Sequence, residues 1–175
     1  MIEWRPLIAA ILRESPRPAW GLHGVPHWAR VLENGLRLAS ETGADVRVIG
    51  LFAVFHDCRR VNDDRDPGHG ARGAELAGSC RGRLFALPDP EFALLTEACI
   101  GHTDGRTEGD VTLRTCWDAD RLDLGRVGIR PDPRRLCTEA AKRPDILGWA
   151  EGRAAAGFIP ERVRRDWGLE RGPGA

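Results

Sequence analysis

The residues best suited to metal chemistry are histidines and aspartates spread along the first 120 residues. The histidines are not clustered as a tag, and each falls where a predicted helix begins, ends or meets a loop. Imidazole and carboxylate groups together are common ligands for zinc, iron and related divalent ions. In chain order the candidate ligands are His27, His56, Asp57, His69, His102 and Asp120, with His23 as the remaining histidine.

The adjacent pair His56-Asp57 follows an apolar run. Residues 48–55 are almost entirely hydrophobic, which predicts a buried helix that carries both side chains toward the interior. Burying an unpaired ionised carboxylate is very costly, so Asp57 needs a compensating cation. A metal ion would provide one, and so would an arginine such as Arg59 or Arg60. The pair alone therefore leaves open a metal site and a structural ion pair at a helix end.

Five short motifs surround these residues in a fixed order: HGVPHWARV, FHDCRR, DPGHGARGAELA, IGHTDG and DADRLDL. They span residues 23 to about 124, and their order resembles the HD superfamily of metal-dependent phosphohydrolases. The signature of that family is H…HD…D, with further histidines before the last Asp in members that bind two metals. The resemblance favours two ions that share Asp57, with the ligands His27, His56, Asp57, His69, His102 and Asp120. A single ion held by His27, His56, Asp57 and Asp120, with His69 and His102 as substrate contacts, stays open.

The resemblance also implies an enzyme that cleaves a phosphoester with a metal-activated water, in which His56 and Asp57 are catalytic. The residues do not identify the substrate: a small phosphomonoester is expected first, then a nucleotide, with a cyclic dinucleotide also open. Histidine-rich ligation suits Fe, Mn, Co, Ni or Zn, with Mg possible. Guanidinium groups bind phosphate oxygens bidentately. The side chains expected to contact the substrate are His23, Arg60, Arg72 and Arg121.

Two other functions remain open at this stage. Some members of the same superfamily are mixed-valent di-iron oxygenases with nearly the same order of ligands, and nothing in the residues excludes that chemistry. A non-catalytic domain that binds a ligand on a degenerate HD fold is the other alternative. The complete ligand set argues against it, because a degenerate site should have lost one of these residues.

The elements that must position these residues are predicted to be helices throughout. Segment DVRVIGLF could pass as a strand, but its continuation into the HD pair favours a helix. One helix presents Asp120 from an apolar face, with Asp118 and Asp123 on other faces, where Asp118 would orient a ligand histidine or be solvated. The predicted helices cover residues 2–14, 26–42, 44–60, 70–84, 88–102 and 111–124, with weaker ones at 133–142, 144–156 and 159–168.

The chain of 175 residues is predicted to be a single domain, an all-α, compact orthogonal helical bundle of the HD-domain type. Its C-terminal helices lie within 131–168, and residues 169–175 form a frayed tail. The 26 basic and 26 acidic residues cancel, so we expect a small-molecule partner and neither nucleic acid nor membrane. The five scattered cysteines favour a reducing cytoplasm. The sequence leaves the oligomeric state open.

Overall fold

The protein is all-helical over residues 2–169, the part of the chain that the computed structural model describes. This confirms the predicted all-α class. Two short 3-10 helices, at Leu124–Val127 and Pro133–Arg135, accompany nine α-helices in these residues. The α-helices are α1 Trp4–Glu14, α2 Val25–Thr42, α3 Val46–Phe55, α4 His69–Cys80, α5 Asp89–Gly101, α6 Val111–Arg121, α7 Glu139–Lys142, α8 Pro144–Ala155 and α9 Glu161–Trp167.

No strand forms within residues 2–169, where a lone β-bridge joins Arg81 to Phe85. A search of the same residues found no helix with the length and apolar character needed to cross a membrane. The predicted frayed tail lies outside the described residues, apart from Leu169.

Helix α3 lies at the centre of the fold. Every residue from Val48 to Phe55 is buried, and the helix contacts α1, α2, α4, α5 and α6. The carboxylate of Asp45 caps the first turn by accepting hydrogen bonds from the backbone N–H groups of Arg47 and Val48. A helix that is hydrophobic on all sides must be surrounded by other elements. The segment that could have passed as a strand is therefore the buried central helix.

Helix α3 ends at Phe55, five residues before the predicted end at residue 60. A tight turn follows, closed by a hydrogen bond of 3.2 Å from the N–H of Arg60 to the carbonyl oxygen of Asp57. The prediction was wrong at this end, because it continued the helix through the polar pair, where the backbone instead turns against α4. His56 and Asp57 consequently project from a helix end, and both can face a single point.

Helix α4 packs so closely against its neighbours that two of its glycines have no room for a side chain. A Cβ on Gly70 would lie 2.0 Å from the carbonyl oxygen of Cys99, and one on Gly73 would lie 2.1 Å from that of Phe55. Gly73 permits the contact that brings α4, and with it His69, against the end of α3.

Substitution of Gly73 by alanine is expected to destabilise the protein by about 1–3 kcal/mol, because a backbone carbonyl cannot move aside as a flexible side chain would. Gly78 is the matched control in the same helix, since a Cβ there meets only Phe92, at an ordinary 3.7 Å. Gly78→Ala should be neutral or stabilising by about 0.5–1 kcal/mol. Urea unfolding of both variants measures the difference, and equal stability would refute the close approach of α4 to α3.

The C-terminal segment forms a second, smaller hydrophobic core with α2 and the end of α6. Its buried members are Leu38, Leu122, Leu136, Ala140, Ala141, Ile146 and Ala150. The buried carboxylate of Asp118 links α6 to this segment through three hydrogen bonds. It accepts from the N–H groups of Cys137 at 2.7 Å and Thr138 at 2.8 Å, and from the hydroxyl of Thr138 at 2.8 Å. Burial raises the pKa of Asp118. The prediction that Asp118 orients a ligand histidine or is solvated is wrong.

Candidate metal centre

The six predicted ligands converge in the interior, where helix ends from five parts of the chain meet. These are the start of α2, the turn after α3, the start of α4, the residue after α5 and the last turn of α6. The four histidines and Asp57 are buried, and Asp120 is partly exposed. We call this set the His/Asp cluster: His27, His56, Asp57, His69, His102 and Asp120.

One half of the cluster surrounds the Oδ2 atom of Asp57. The Nε2 atoms of His27 and His56 lie 3.0 Å apart, and they are 3.5 and 3.8 Å from Oδ2 of Asp57. Oδ1 of Asp120 lies 3.3 Å from His27 Nε2 and 3.7 Å from His56 Nε2. Two imidazole nitrogens and two carboxylate oxygens therefore face one another.

The other half surrounds the second oxygen of the same carboxylate. Oδ1 of Asp57 lies 3.0 Å from Nε2 of His69 and 3.5 Å from Nε2 of His102. The two Nε2 atoms are 2.9 Å apart. The two oxygens of Asp57 thus face different pairs of histidines, which is the arrangement of a bridging carboxylate.

The spacing and the chemistry of these atoms fit bound cations. Ligand atoms about 2.1 Å from one ion lie roughly 3.0–3.4 Å from each other in octahedral or tetrahedral geometry, close to the separations in both halves. Oδ1 of Asp57 is buried without a hydrogen-bond partner in the described residues, and such an atom calls for a compensating charge. The groups His27–His56–Asp57 and Asp57–His69–His102 can each hold a metal ion.

The Nδ1 atom of each cluster histidine is used to orient its ring. His27 donates to Asp123 at 2.7 Å. The other three donate to backbone carbonyls: His56 to Phe52 at 3.0 Å, His69 to Asp66 and His102 to Cys99 at 2.7 Å. These bonds leave each Nε2 as the atom that faces the cluster, and partners of this kind tune a metal-ligating histidine.

Asp123 and Arg30 are functional neighbours that the sequence reasoning missed. Asp123 was assigned to another face of its helix, but α6 ends at Arg121 and the chain then turns toward His27. Buried Arg30 donates to Asp123 at 2.6 and 3.1 Å. Burial opposes ionisation of Asp123, yet His27 and Arg30 hold its pKa below the ordinary value.

The charges within the cluster also favour cations. Burial lowers the pKa of His56 to about 3, so this ring is neutral. Burial alone would raise the pKa values of Asp57 and Asp120, but the surrounding histidines hold both below the ordinary range. Burial lowers the pKa of His27 as well, but its carboxylate neighbours outweigh that effect and raise it to about 9. Two ionised carboxylates thus stand in a buried site, where a cation is stabilised.

Two of the predicted substrate contacts lie beside the cluster. His23 donates from Nδ1 to Oδ2 of Asp57 at 2.7 Å. The buried guanidinium of Arg60 has one nitrogen 3.6 Å from Oδ1 of Asp57 and 3.3 Å from Nε2 of His69. Arg59, the other arginine considered as a structural partner of the HD pair, instead binds Glu14.

The other two predicted contacts are engaged elsewhere. Arg72 forms an ion pair with Asp66 at 2.6 Å and donates to the carbonyl oxygen of Arg59. The structure therefore does not bring it to the cluster. Arg121 donates to the carbonyl oxygens of Arg135 at 2.9 Å and Arg106 at 2.7 Å, and it lines a cavity that reaches His102.

The fold and this site define an all-α protein with a buried cluster of histidine and aspartate side chains that can hold metal. A scan against protein-family models, a search of curated proteins and a search of solved structures found no match to the chain. The geometry of the cluster and the order of its motifs are therefore the basis for a functional assignment.

Proposed function

We propose that the protein is a metal-dependent phosphohydrolase of the HD type that cleaves a small phosphomonoester or a nucleotide. The main support for this proposal is the position of the Asp57 carboxylate. Its two oxygens face separate pairs of histidines, at distances of 3.0–3.8 Å from their Nε2 atoms. Two ions about 3.5–4 Å apart are the common arrangement for in-line displacement at phosphorus. A single structural ion would not require a second set of histidines.

Each residue of the cluster has a role in this proposal. His27, His56 and Asp120 would hold one ion with Oδ2 of Asp57, and the two remaining histidines would hold the other with Oδ1. When bound, such ions supply an activated water and polarise the phosphoryl oxygen. The Asp123 carboxylate keeps the ring of His27 in position through its bond to Nδ1.

Two neighbouring side chains would act on protons and on the phosphoryl group. His23 is partly exposed and bonded to Asp57, so it can hold a proton at the edge of the cluster and exchange it with solvent. The Arg60 guanidinium lies beside Oδ1 of Asp57, where it can donate to an equatorial phosphoryl oxygen. The imidazole of His23 and the guanidinium of Arg60 therefore both lie beside Asp57, close to where the phosphoryl group would bind.

The test begins with the metal content of purified protein, followed by a screen for phosphate release from phosphomonoesters and nucleotides in the presence of that metal. We expect phosphate release that requires the metal and is lost in His56→Ala. The superfamily also contains di-iron oxygenases, so oxygen consumption is measured in parallel on the iron-loaded protein. A di-iron spectroscopic signal with oxygen uptake, and no phosphate release with any metal, would overturn the proposal.

His69→Ala and His102→Ala are each expected to lose one ion per chain and to keep the other, because the ligands of the other ion, His27, His56, Asp120 and Oδ2 of Asp57, are unchanged. His23→Ala is the comparison, since it removes the histidine outside the cluster: at saturating metal it should still bind both ions, with an affinity lowered by the loss of its bond to Asp57. Metal analysis of the dialysed proteins measures the stoichiometry. One ion per wild-type chain, retained in both cluster variants, would leave no second site.

A further inference from the structure

A cavity of about 450 Å³ begins at the cluster residue His102 and extends along Arg121 to the segment that follows α6. Ligand pockets typically have volumes of about 300–1,000 Å³, so this cavity can take a small organic molecule. Because His102 lines it, a molecule inside the cavity lies next to the His/Asp cluster.

One wall of the cavity is apolar. Leu124, Ile129, Pro131 and Leu136 line it. Ile129 is 53 % exposed, among the largest exposures of any big hydrophobic residue in the described part of the chain. The exposed side chain of Ile129 in the cavity lining could pack against an apolar part of a ligand.

The remaining lining is cationic. Arg121, Arg130 and Arg135 line it together with one carboxylate, Asp132. Arg130 lies 3.8 Å from Glu151, and Asp132 is already paired with Arg134 at 2.9 Å. Within residues 2–169 the exposed guanidinium of Arg135 has no hydrogen-bond or ion-pair partner, whereas its neighbour Arg134 is committed to Asp132. The cavity therefore offers an unengaged guanidinium to an anion.

We propose that this cavity binds the organic part of a phosphomonoester that has an apolar body and a second anionic group. This inference rests on the proposed function, because the cluster must bind the phosphate end. The apolar body lies against Ile129 and Leu136, and the second anionic group pairs with Arg135. Arg121 contributes charge and holds the wall through its bonds to the carbonyl oxygens of Arg135 and Arg106.

The experiment compares two phosphonates of equal size, which cannot be hydrolysed. One is 4-carboxyphenylphosphonate, and the other is 4-carbamoylphenylphosphonate, whose amide carries no charge. Their dissociation constants are measured by calorimetry on the full chain loaded with Mn²⁺. We expect the carboxylate probe to bind wild type at least about tenfold more tightly, a difference of about 1.4 kcal/mol.

Two pairs of variants separate the charge from the apolar wall. Arg135→Ala should bring the ratio of the two constants close to one, while Arg135→Lys, which keeps the positive charge at this position, should retain a preference for the carboxylate probe. Ile129→Ser should weaken both probes equally, and Ile100→Ser, at an isoleucine of similar exposure on α5, should weaken neither.

Equal binding of the two probes to wild type, no binding of either, or a preference for the carboxylate probe that persists in Arg135→Ala would overturn the proposed occupant of the cavity. These results are independent of catalysis. Failure of the phosphate-release screen with a preserved preference for the carboxylate probe would overturn the phosphohydrolase assignment and leave the binding specificity standing. Phosphate release without a preference for the carboxylate probe would support the phosphohydrolase assignment and overturn the proposed binding specificity.

Discussion

Asp57→Asn is expected to empty both metal positions and to abolish turnover while the fold survives. The amide keeps the shape of the side chain but cannot offer an anionic oxygen to each half of the cluster. Loss of a partner that only orients a ligand typically weakens metal binding about 10–100-fold, so loss of the shared ligand should exceed about 100-fold. Metal analysis, circular dichroism and the phosphate assay together measure the effect.

Asp118→Asn is the matched control for this substitution. Asp118 is a buried aspartate two residues from Asp120, but it faces the C-terminal segment and accepts three hydrogen bonds there. We expect this variant to lose stability, by about 1–3 kcal/mol, and to keep its metal. If Asp57→Asn retained both ions and turned over normally, the HD pair would be structural and the centre of the site would lie elsewhere.

Removal of metal is expected to lower the melting temperature substantially. Without cations, the carboxylates of Asp57 and Asp120 are offset only by the surrounding histidines and, for Asp57, by the guanidinium of Arg60 at 3.6 Å. An ion present at about 1,000 times its dissociation constant stabilises the folded state by about 4 kcal/mol. For a chain of this size each kcal/mol corresponds to about 2–4 °C, so chelation should lower the melting temperature by roughly 10 °C.

Restoring a single kind of divalent ion should return the original melting temperature in a concentration-dependent way. Asp57→Asn provides the control, because chelator should not change its melting temperature if the shift in wild type arises from the cluster. An unchanged melting temperature in wild-type protein verified to be metal-free would refute the coupling of metal binding to stability.

Much of the fold could be predicted from local patterns in the sequence. Helix α2 has proline in its first turn and ends at Gly43, whose φ of 74° permits a left-handed cap. Helix α3 was recognised from its apolar run. These features depend on residues close in the chain. The end of α3 was misjudged, because the turn after Phe55 depends on the helices that pack around it.

The sequence predicted the six cluster residues of the site but not the residues that position them. The six cluster residues were named from the order of the motifs, and the structure brings them together. Asp123 and Arg30 were missed because their bonds join residues separated by about a hundred positions, as do those of Asp123 with His27. Arg72 was expected at the substrate, but its charge is taken up by Asp66. Residue type and spacing do not reveal which of several nearby arginines forms an ion pair with a neighbouring carboxylate in the folded protein.

The second hydrophobic core changes what counts as the minimal functional unit of this chain. All cluster residues precede residue 121, which suggests that a shortened chain ending near residue 130 would suffice. Such a truncation would expose Leu38 on α2 and Leu122 after α6 to solvent. It would also remove the three groups that donate hydrogen bonds to Asp118. Helices α2 and α6 carry His27 and Asp120, so a deletion that removes no ligand would still disorganise the metal centre.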